Sequence, residues 1–342
     1  MRYLIYLSIL FTFISCSEKD KLFTPTQFDI DSLKVNLDYS PWDIIQYDNG
    51  YIYRIKEYNT DTFSLFYLNK EFEVLAGKTI DLNKGLEDHF ASIWTSGDTL
   101  YGMQGYFNMY YWNNQQWHFL KKFKREKYKH NAYEKNIPLY EDENFIVRSC
   151  CSGEFGGAIY FYDKKTEKTF SCESTCVVSI VKNNDHYIIT NSLPHLSGHS
   201  NIIKIKDPRQ LYEIKSKEQL TDCSWYDIYP DEFGHKITHP MGYDQGYEVL
   251  LDSFDFLILG SFQFEDTPYY IYTDLTNSFV GYMDSNKLVT IDKIYHKPMW
   301  FADIRDIKHN RNLFPIRNRK MNGLIIVEGK KIRIVEFRRE NN

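Results

Sequence analysis

The chain has 342 residues, of which 17% are aromatic, and its formal net charge at pH 7 is −5. A mildly acidic chain does not offer the basic surface that binds a phosphate backbone, which argues against nucleic acid as a partner. The 28 Tyr and 24 Phe residues favour strands, because aromatic side chains fit a pleated, half-buried surface.

The first 16 residues differ from the rest of the chain. Arg2 is followed by an apolar run from Tyr3 to Ile14, which is too short to span a bilayer and is typical of a signal peptide. The run ends in Phe13-Ile14-Ser15-Cys16, which resembles the lipobox of bacterial lipoproteins. The resemblance implies cleavage before Cys16, a lipid on Cys16 and anchoring to the outer membrane, on its periplasmic or surface face. An ordinary secretory signal with a chance cysteine is the alternative.

Residues 17–36 are predicted to form a polar tether, and residues 37–340 a single domain. Within this domain, short strands separated by polar turns recur, beginning with Tyr51 to Tyr58, Phe63 to Leu68 and Phe72 to Leu75. The clearest set extends over 144–211 and includes an alternating strand, Ala158 to Tyr162, closed by a polar turn. A meander of about four strands that repeats every 40 to 50 residues or so is typical of a β-propeller blade. We therefore predict an all-β fold, a β-propeller of about six blades, although five or seven would also fit.

Three sets of strands are preceded by a tryptophan and a nearby aspartate. If innermost strands begin at these points, the six side chains would line a central channel: Trp42 with Asp43, Trp225 with Asp227, and Trp300 with Asp303. The tryptophans would then be candidate binding residues. The aspartates would be candidate catalytic residues, because carboxylates beside aromatic platforms are what a glycoside hydrolase requires. The alternative is that the tryptophans fill the core between blades and the aspartates cap turns.

Catalytic signatures of other kinds are missing from the sequence. It contains no nucleophile elbow, no glycine-rich phosphate loop and no HExxH motif. We therefore predict no cofactor and no metal site.

Five cysteines lie in the predicted domain. Cys150, Cys151, Cys172 and Cys176 are predicted to meet at one end of one blade, because the strands that precede and follow them alternate in direction. An exported compartment is oxidising, which favours a disulfide within this cluster. Free buried thiols and a four-thiolate metal site are the alternatives, although the spacing is not a standard zinc pattern. Cys223 is predicted to be the unpaired cysteine.

Together these features predict an exported, lipid-anchored propeller that binds a glycan, a peptide or a partner protein without chemistry of its own. Aromatic side chains on a rigid ring provide binding surface at low entropic cost. Two other hypotheses remain: the hydrolase or lyase with channel carboxylates, and an immunity or protective lipoprotein that binds a toxin.

Overall fold

Strands joined by tight polar turns account for most of the chain. The computed structural model describes residues 24–37, 43–56, 63–84, 90–104, 108–122, 138–151, 153, 156–194, 198–215, 245–301, 312–318 and 321–339. Within this part, six small sheets of three to five strands follow one another as the blades of a propeller. The prediction of an all-β propeller with about six blades is confirmed.

Blades 1 and 2 are built from consecutive antiparallel strands. Blade 1 has three strands followed by a helix: β2 (Asp43–Tyr47), β3 (Gly50–Lys56), β4 (Phe63–Asn69) and α1 (Ala76–Asn83). Blade 2 has four strands: β5 (Phe90–Ser96), β6 (Thr99–Gln104), β7 (Asn108–Asn113) and β8 (Gln116–Lys122).

A short strand that follows the third strand of blade 4 pairs with blade 3. Blade 3 contains β9 (Tyr140–Glu141), β10 (Phe145–Cys151), β11 (Gly157–Asp163) and β12 (Thr169–Glu173), with β16 (Tyr212–Glu213) at its outer edge. Blade 4 contains β13 (Val177–Asn183), β14 (His186–Leu193), β15 (His199–Ile205) and β17 (Glu248–Ser253). A 3-10 turn, Pro208–Gln210, directs the chain from β15 to β16, so that blade 4 supplies the last strand of blade 3.

Blades 5 and 6 complete the ring. Blade 5 contains β18 (Leu257–Phe264), β19 (Thr267–Thr273), β20 (Ser278–Asp284) and β21 (Lys287–Tyr295). Blade 6 contains β22 (Trp300–Phe301), β23 (Leu313–Asn318), β24 (Met321–Glu328) and β25 (Lys331–Arg339), and its fifth strand is β1 (Asp29–Leu37).

Strand β1 closes the ring by pairing with the last strand of the chain. It runs parallel to β25 from Asp29 opposite Lys331 to Leu37 opposite Arg339. Val35 and Leu37 are buried in the cluster that blade 6 shares with blade 1, and this burial fixes the strand. The predicted tether over 17–36 is therefore wrong for residues 29–36, which belong to the propeller.

The apolar core lies between neighbouring blades rather than within each sheet. Separate buried clusters occupy the seams of blades 1 and 2, 3 and 4, 4 and 5, and 5 and 6. Each blade is thus held by the side chains of the next, which makes the ring a rigid support for whatever lies at its seams.

Helix α1 takes the place of a fourth strand in blade 1. The side-chain amide of Asn83 mimics a strand backbone: its Oδ1 accepts from the Leu65 N–H at 3.0 Å, and its Nδ2 donates to the Leu65 carbonyl at 2.6 Å. Thr79 Oγ1 accepts from the Tyr67 N–H at 3.1 Å. These contacts cover the outer edge of β4, which would otherwise present unpaired backbone groups.

The strand predicted for Phe72–Leu75 is reduced to one bridge, between Leu68 and Val74. Phe72 has a φ of 65°, which no continuous strand accommodates, and the chain turns there into α1. No helix among the described residues is long and apolar enough to cross a membrane.

Candidate functional site

The predicted channel residues fall mostly outside the part of the chain that the structure describes. Of Asp43 only the backbone is described, at the start of β2. Trp300, at the start of β22, is half-buried and packs against the cluster shared by blades 5 and 6, which includes Ile271 and Phe314. Its position agrees with the interpretation that tryptophan fills the core. The other members of the set lie outside the described residues: Trp42, Trp225, Asp227 and Asp303.

A cavity of about 250 Å³, which we call the axial cavity, opens beside the innermost strands of blades 3, 4 and 5. Lys182 is the charged residue among the described residues that line it, and its Nζ lies 2.8 Å from both Asp142 Oδ2 and Glu143 Oε1. Burial alone would lower the pKa of Lys182, but the two carboxylates raise it to about 12. The lysine that faces this cavity is therefore already paired. The lining residues are Tyr140, Ile180, Val181, Lys182, Gln263 and Asn312.

The cysteine cluster contains a disulfide, as predicted. Cys151, at the end of β10, is bonded to Cys176, which precedes β13, and their Cα atoms are 4.5 Å apart. Cys176 has a φ of 58°, so the chain turns back there towards the end of β10. Cys150 is also disulfide-bonded. Two disulfides therefore meet at the end of one strand.

Cys172 does not take part in this cluster, and the prediction was wrong for this residue. It is a free thiol, fully buried in the core of blades 3 and 4, and burial raises its pKa. Strand β11 lies between β10 and β12, which separates Cys172 from Cys150 and Cys151 by two strand spacings, about 9.6 Å and beyond disulfide reach. Cys16 and Cys223 lie outside the described residues.

A second cavity, of about 170 Å³, lies between blades 1 and 2, where α1 meets the turns of both blades; we call it the α1 cleft. Lys78, Asp81 and Leu82 are spaced so that they share one face of α1. Leu82 points into the core of the two blades, and the two charged residues line the cleft. The complete lining is Tyr47, Asp48, Tyr67, Lys78, Asp81, Leu82, Trp112 and Gln115.

Tight turns place two polar residues at the lip of the α1 cleft. Asp48 follows β2 with a φ of 53°, in the left-handed region. Asn114 and Gln115 have φ values of 49° and 58°, the pattern of a two-residue hairpin turn between β7 and β8. Because these turns are short and fixed, the side chains of Asp48 and Gln115 are held at the cleft and not on mobile loops.

A lysine already occupies part of the α1 cleft. Lys78 Nζ lies 2.9 Å from Asp48 Oδ2 and 4.3 Å from the centroid of the Tyr67 ring. The hydrogen bond between them lowers the pKa of Asp48 and raises that of Lys78. Both side chains are about half exposed, so the ion pair itself adds about 1 kcal/mol or less to stability.

Other polar groups of the α1 cleft have no partner within the part of the chain that the structure describes. The Asp81 carboxylate and the Gln115 amide make no hydrogen bond or ion pair there, and neither does the Tyr47 hydroxyl. Trp112 contacts Trp117 edge to face, with ring centroids 5.1 Å apart, and the Trp117 indole N–H donates to the Leu82 carbonyl at 2.9 Å. The aromatic wall is thus anchored, while the polar groups around it face solvent.

Sequence reasoning missed the α1 cleft entirely. Its residues come from β2, β4, α1, β7 and two turns, and only Lys78, Asp81 and Leu82 share a local pattern. The helical spacing of these three residues is the one signal in the sequence. It predicts that they share a face of a helix, but it does not show which strands and turns lie against that face.

The fold defines the chain as a six-bladed β-propeller. Its sequence matches no protein-family model and no curated protein sequence.

Solved structures resemble the chain only weakly. A functionally unknown protein from Desulfotomaculum acetoxidans is 12% identical, with a TM-score of 0.41 over 91% of this chain and 89% of that one. BamB from Moraxella catarrhalis is 10% identical, with a TM-score of 0.37 over 89% and 84%. The computationally designed Ika8 protein is 7% identical, with a TM-score of 0.37 over 89% and 88%. Similarity at this level carries no inference about function.

Proposed function

We propose that the protein is an exported, lipid-anchored β-propeller that binds its ligand in the α1 cleft. The observation that carries the proposal is the cleft itself, in which an anchored aromatic wall meets polar groups that have no partner in the described chain. Ligand sites commonly combine apolar walls with a few fixed polar groups in this way.

The disulfide between Cys151 and Cys176 supports export, because disulfides persist in oxidising compartments and are rare in the cytosol. The segment that ends at Cys16 supplies the corresponding signal and anchor. We expect the mature chain to fractionate with the membranes of a bacterial host and to begin at a Cys16 whose measured mass includes acyl chains. A mature chain that begins at another residue, or a Cys16 of unmodified mass, would contradict the anchor.

The size of the α1 cleft limits what enters it. A volume of about 170 Å³ is below the roughly 300–1,000 Å³ of pockets that hold a drug-sized ligand. The cleft therefore admits one small group of a larger ligand, such as a single sugar ring of a glycan or a single side chain of a peptide. The axial cavity is larger, but the charge that faces it is already paired.

The test is a screen of the mature chain on glycan and peptide arrays, with variants in each cavity. Trp112→Leu removes the aromatic wall and Gln115→Ala removes a polar group from the exposed lip, whereas Gln263→Leu alters the axial cavity as the matched control. We expect both α1 cleft variants to lose the bound ligands and the control to keep them. Ligands that are lost only with Gln263→Leu would contradict the proposal, and thermal unfolding shows whether each variant is folded.

A further inference from the structure

The contacts of Lys78 show that the α1 cleft already binds one cation, the ammonium group of this lysine. Its ammonium lies over the face of Tyr67, 4.3 Å from the ring centroid, and 2.9 Å from the Asp48 carboxylate. An aromatic face attracts a cation through its quadrupole, and a neighbouring carboxylate supplies the opposite charge. Asp48 and Tyr67 thus form a cation site, which the ammonium group of Lys78 occupies.

The α1 cleft also contains a second carboxylate and two further aromatic rings. Asp81 provides a carboxylate with no partner in the described chain, and Trp112 and Tyr47 provide aromatic rings. Since the charges of Asp48 and Lys78 cancel, the cleft keeps the negative charge of Asp81. Tryptophan is also the aromatic residue that attracts cations most strongly.

The stability of α1 does not account for Asp81. This residue lies in the last turn of the helix, where the exposed carbonyls make a carboxylate unfavourable, and that turn contains no basic residue. Lys78 lies one turn before Asp81 on the same helix face, but its ammonium is already paired with Asp48, so the Asp81 carboxylate gains little from it. A role in binding accounts for a carboxylate at this position.

We infer that the α1 cleft binds an organic ammonium group, with Asp81 as its counter-charge and Trp112 and Tyr47 as its aromatic walls. The inference rests on the proposed function and names the class of ligand for the same site. The ammonium group belongs either to a lysine side chain of a peptide or to a quaternary ammonium such as choline. A neutral sugar would leave the charge of Asp81 unbalanced, and an anion would be repelled by it.

The test compares charged probes with neutral probes of the same shape, by calorimetric titration of the mature chain. Choline is paired with 3,3-dimethylbutan-1-ol, and Nα-acetyl-lysine methylamide with Nα-acetyl-norleucine methylamide. At least one charged probe should bind about tenfold more tightly than its neutral partner, and binding should weaken as salt screens the half-buried carboxylate of Asp81. The pair that shows the difference identifies the source of the ammonium group.

Two variants test whether Asp81 is responsible for the preference for charged probes. Asp81→Asn should weaken binding of the charged probe by about three- to tenfold and leave the neutral probes unchanged. It should not unfold the protein, because it removes a charge that opposes the helix dipole. Asp284→Asn makes the same change of charge at an exposed turn of blade 5, and binding should be unaffected.

Equal binding of charged and neutral probes, or charged-probe binding that Asp81→Asn does not alter, would overturn the inference. Failure of this inference is distinguishable from failure of the proposed function. A neutral saccharide whose binding is lost in Trp112→Leu but kept in Asp81→Asn would overturn the ammonium ligand and leave the α1 cleft as the binding site. Ligands that bind without any dependence on α1 cleft residues would overturn both.

Discussion

The seam between blades 4 and 5 is closed, whereas the seam between blades 1 and 2 is open. In the closed seam, Ser261 joins the blades: its backbone N–H donates to Ser179 Oγ at 2.7 Å, and its hydroxyl accepts from Thr190 Oγ1 at 3.1 Å. The Ile258 N–H likewise donates to Ser200 Oγ at 2.8 Å. These serine and threonine hydroxyls are satisfied by the opposite blade.

In the open seam, α1 replaces a strand and leaves the α1 cleft beside it. Asp81 and Gln115 have no partner in the described chain, and Tyr47 and Trp112 are only half-buried. The comparison teaches that a propeller seam becomes a site when polar groups without a partner are held beside an open cavity. The predictions below test that difference, beginning with the largest expected effect.

The apolar filling of the closed seam should contribute most to stability. Ile258 is 0% exposed, so Ile258→Ala should lower the free energy of unfolding by about 2–5 kcal/mol through lost burial and the cavity left behind. Tyr47→Leu in the open seam should change it by about 1 kcal/mol or less. Urea unfolding of both variants measures the difference. Equal losses would show that the two seams are packed alike.

The disulfide that joins blades 3 and 4 should rank second. Cys151 and Cys176 are 25 residues apart, and the chain entropy removed by such a loop corresponds to about 3 kcal/mol. We expect Cys151→Ser and Cys176→Ser to destabilise the fold by similar amounts, and the double variant by no more than either one, because each breaks the same bond. Additive losses in denaturant unfolding would contradict a bond between these residues.

The attachment of α1 to blade 1 should have a smaller effect. Asn83→Leu leaves the Leu65 N–H and carbonyl without partners at the edge of β4, which should cost about 1–3 kcal/mol. Lys84→Leu, at the exposed end of the helix, is the matched control and should change stability by about 0.5 kcal/mol or less. Equal changes in the free energy of unfolding for both variants would show that the Asn83 side chain does not attach the helix to the sheet.

A pH titration compares a paired carboxylate with an unpaired one. Burial alone would raise the pKa of Asp163, but hydrogen bonds from Arg209, at 2.7 Å, and from the Lys165 and Thr166 N–H groups lower it to about 2. A carboxyl whose pKa is lower in the folded state stabilises the fold above its unfolded pKa of 3.8, and this contribution is lost as the pH falls towards 2.

Asp163→Asn should therefore reduce stability at pH 7 and flatten its dependence between about pH 4 and pH 2. Asp81→Asn should leave stability at pH 7 unchanged or slightly higher, since Asp81 has no partner in the described chain and opposes the helix dipole. Thermal unfolding at a series of pH values measures both. A loss of stability in Asp81→Asn would mean that its carboxylate is structural.

Local patterns were enough to predict the blades. Alternation such as Ala158 to Tyr162, closed by the turn at Asp163, specifies a hairpin without reference to the rest of the chain. The alternating directions of these strands also predict the end of the blade at which the cysteines meet. The disulfide pairing within the cluster is only partly predictable, because strand β11 separates Cys172 from Cys150 and Cys151.

Features that depend on distant parts of the chain were missed. Local patterns do not predict strand β1, because its partner β25 lies at the other end of the sequence. Helix α1 is short, and the neighbouring segment Phe72–Leu75 resembles a strand in composition. The α1 cleft exists only once these two blades are placed side by side, so no pattern of spacing could reveal it.

One measurement tests the central claim most directly, namely that the open seam is the binding site. Choline and Nα-acetyl-lysine methylamide are titrated separately into the isotopically labelled mature chain, and amide and indole chemical shifts are followed. We predict that the probe that binds causes its largest changes at the Trp112 indole N–H and at the amides of Asp48 and Asp81. Changes confined to Tyr140, Lys182 and Gln263 of the axial cavity, or no changes with either probe at its highest concentration, would contradict the account.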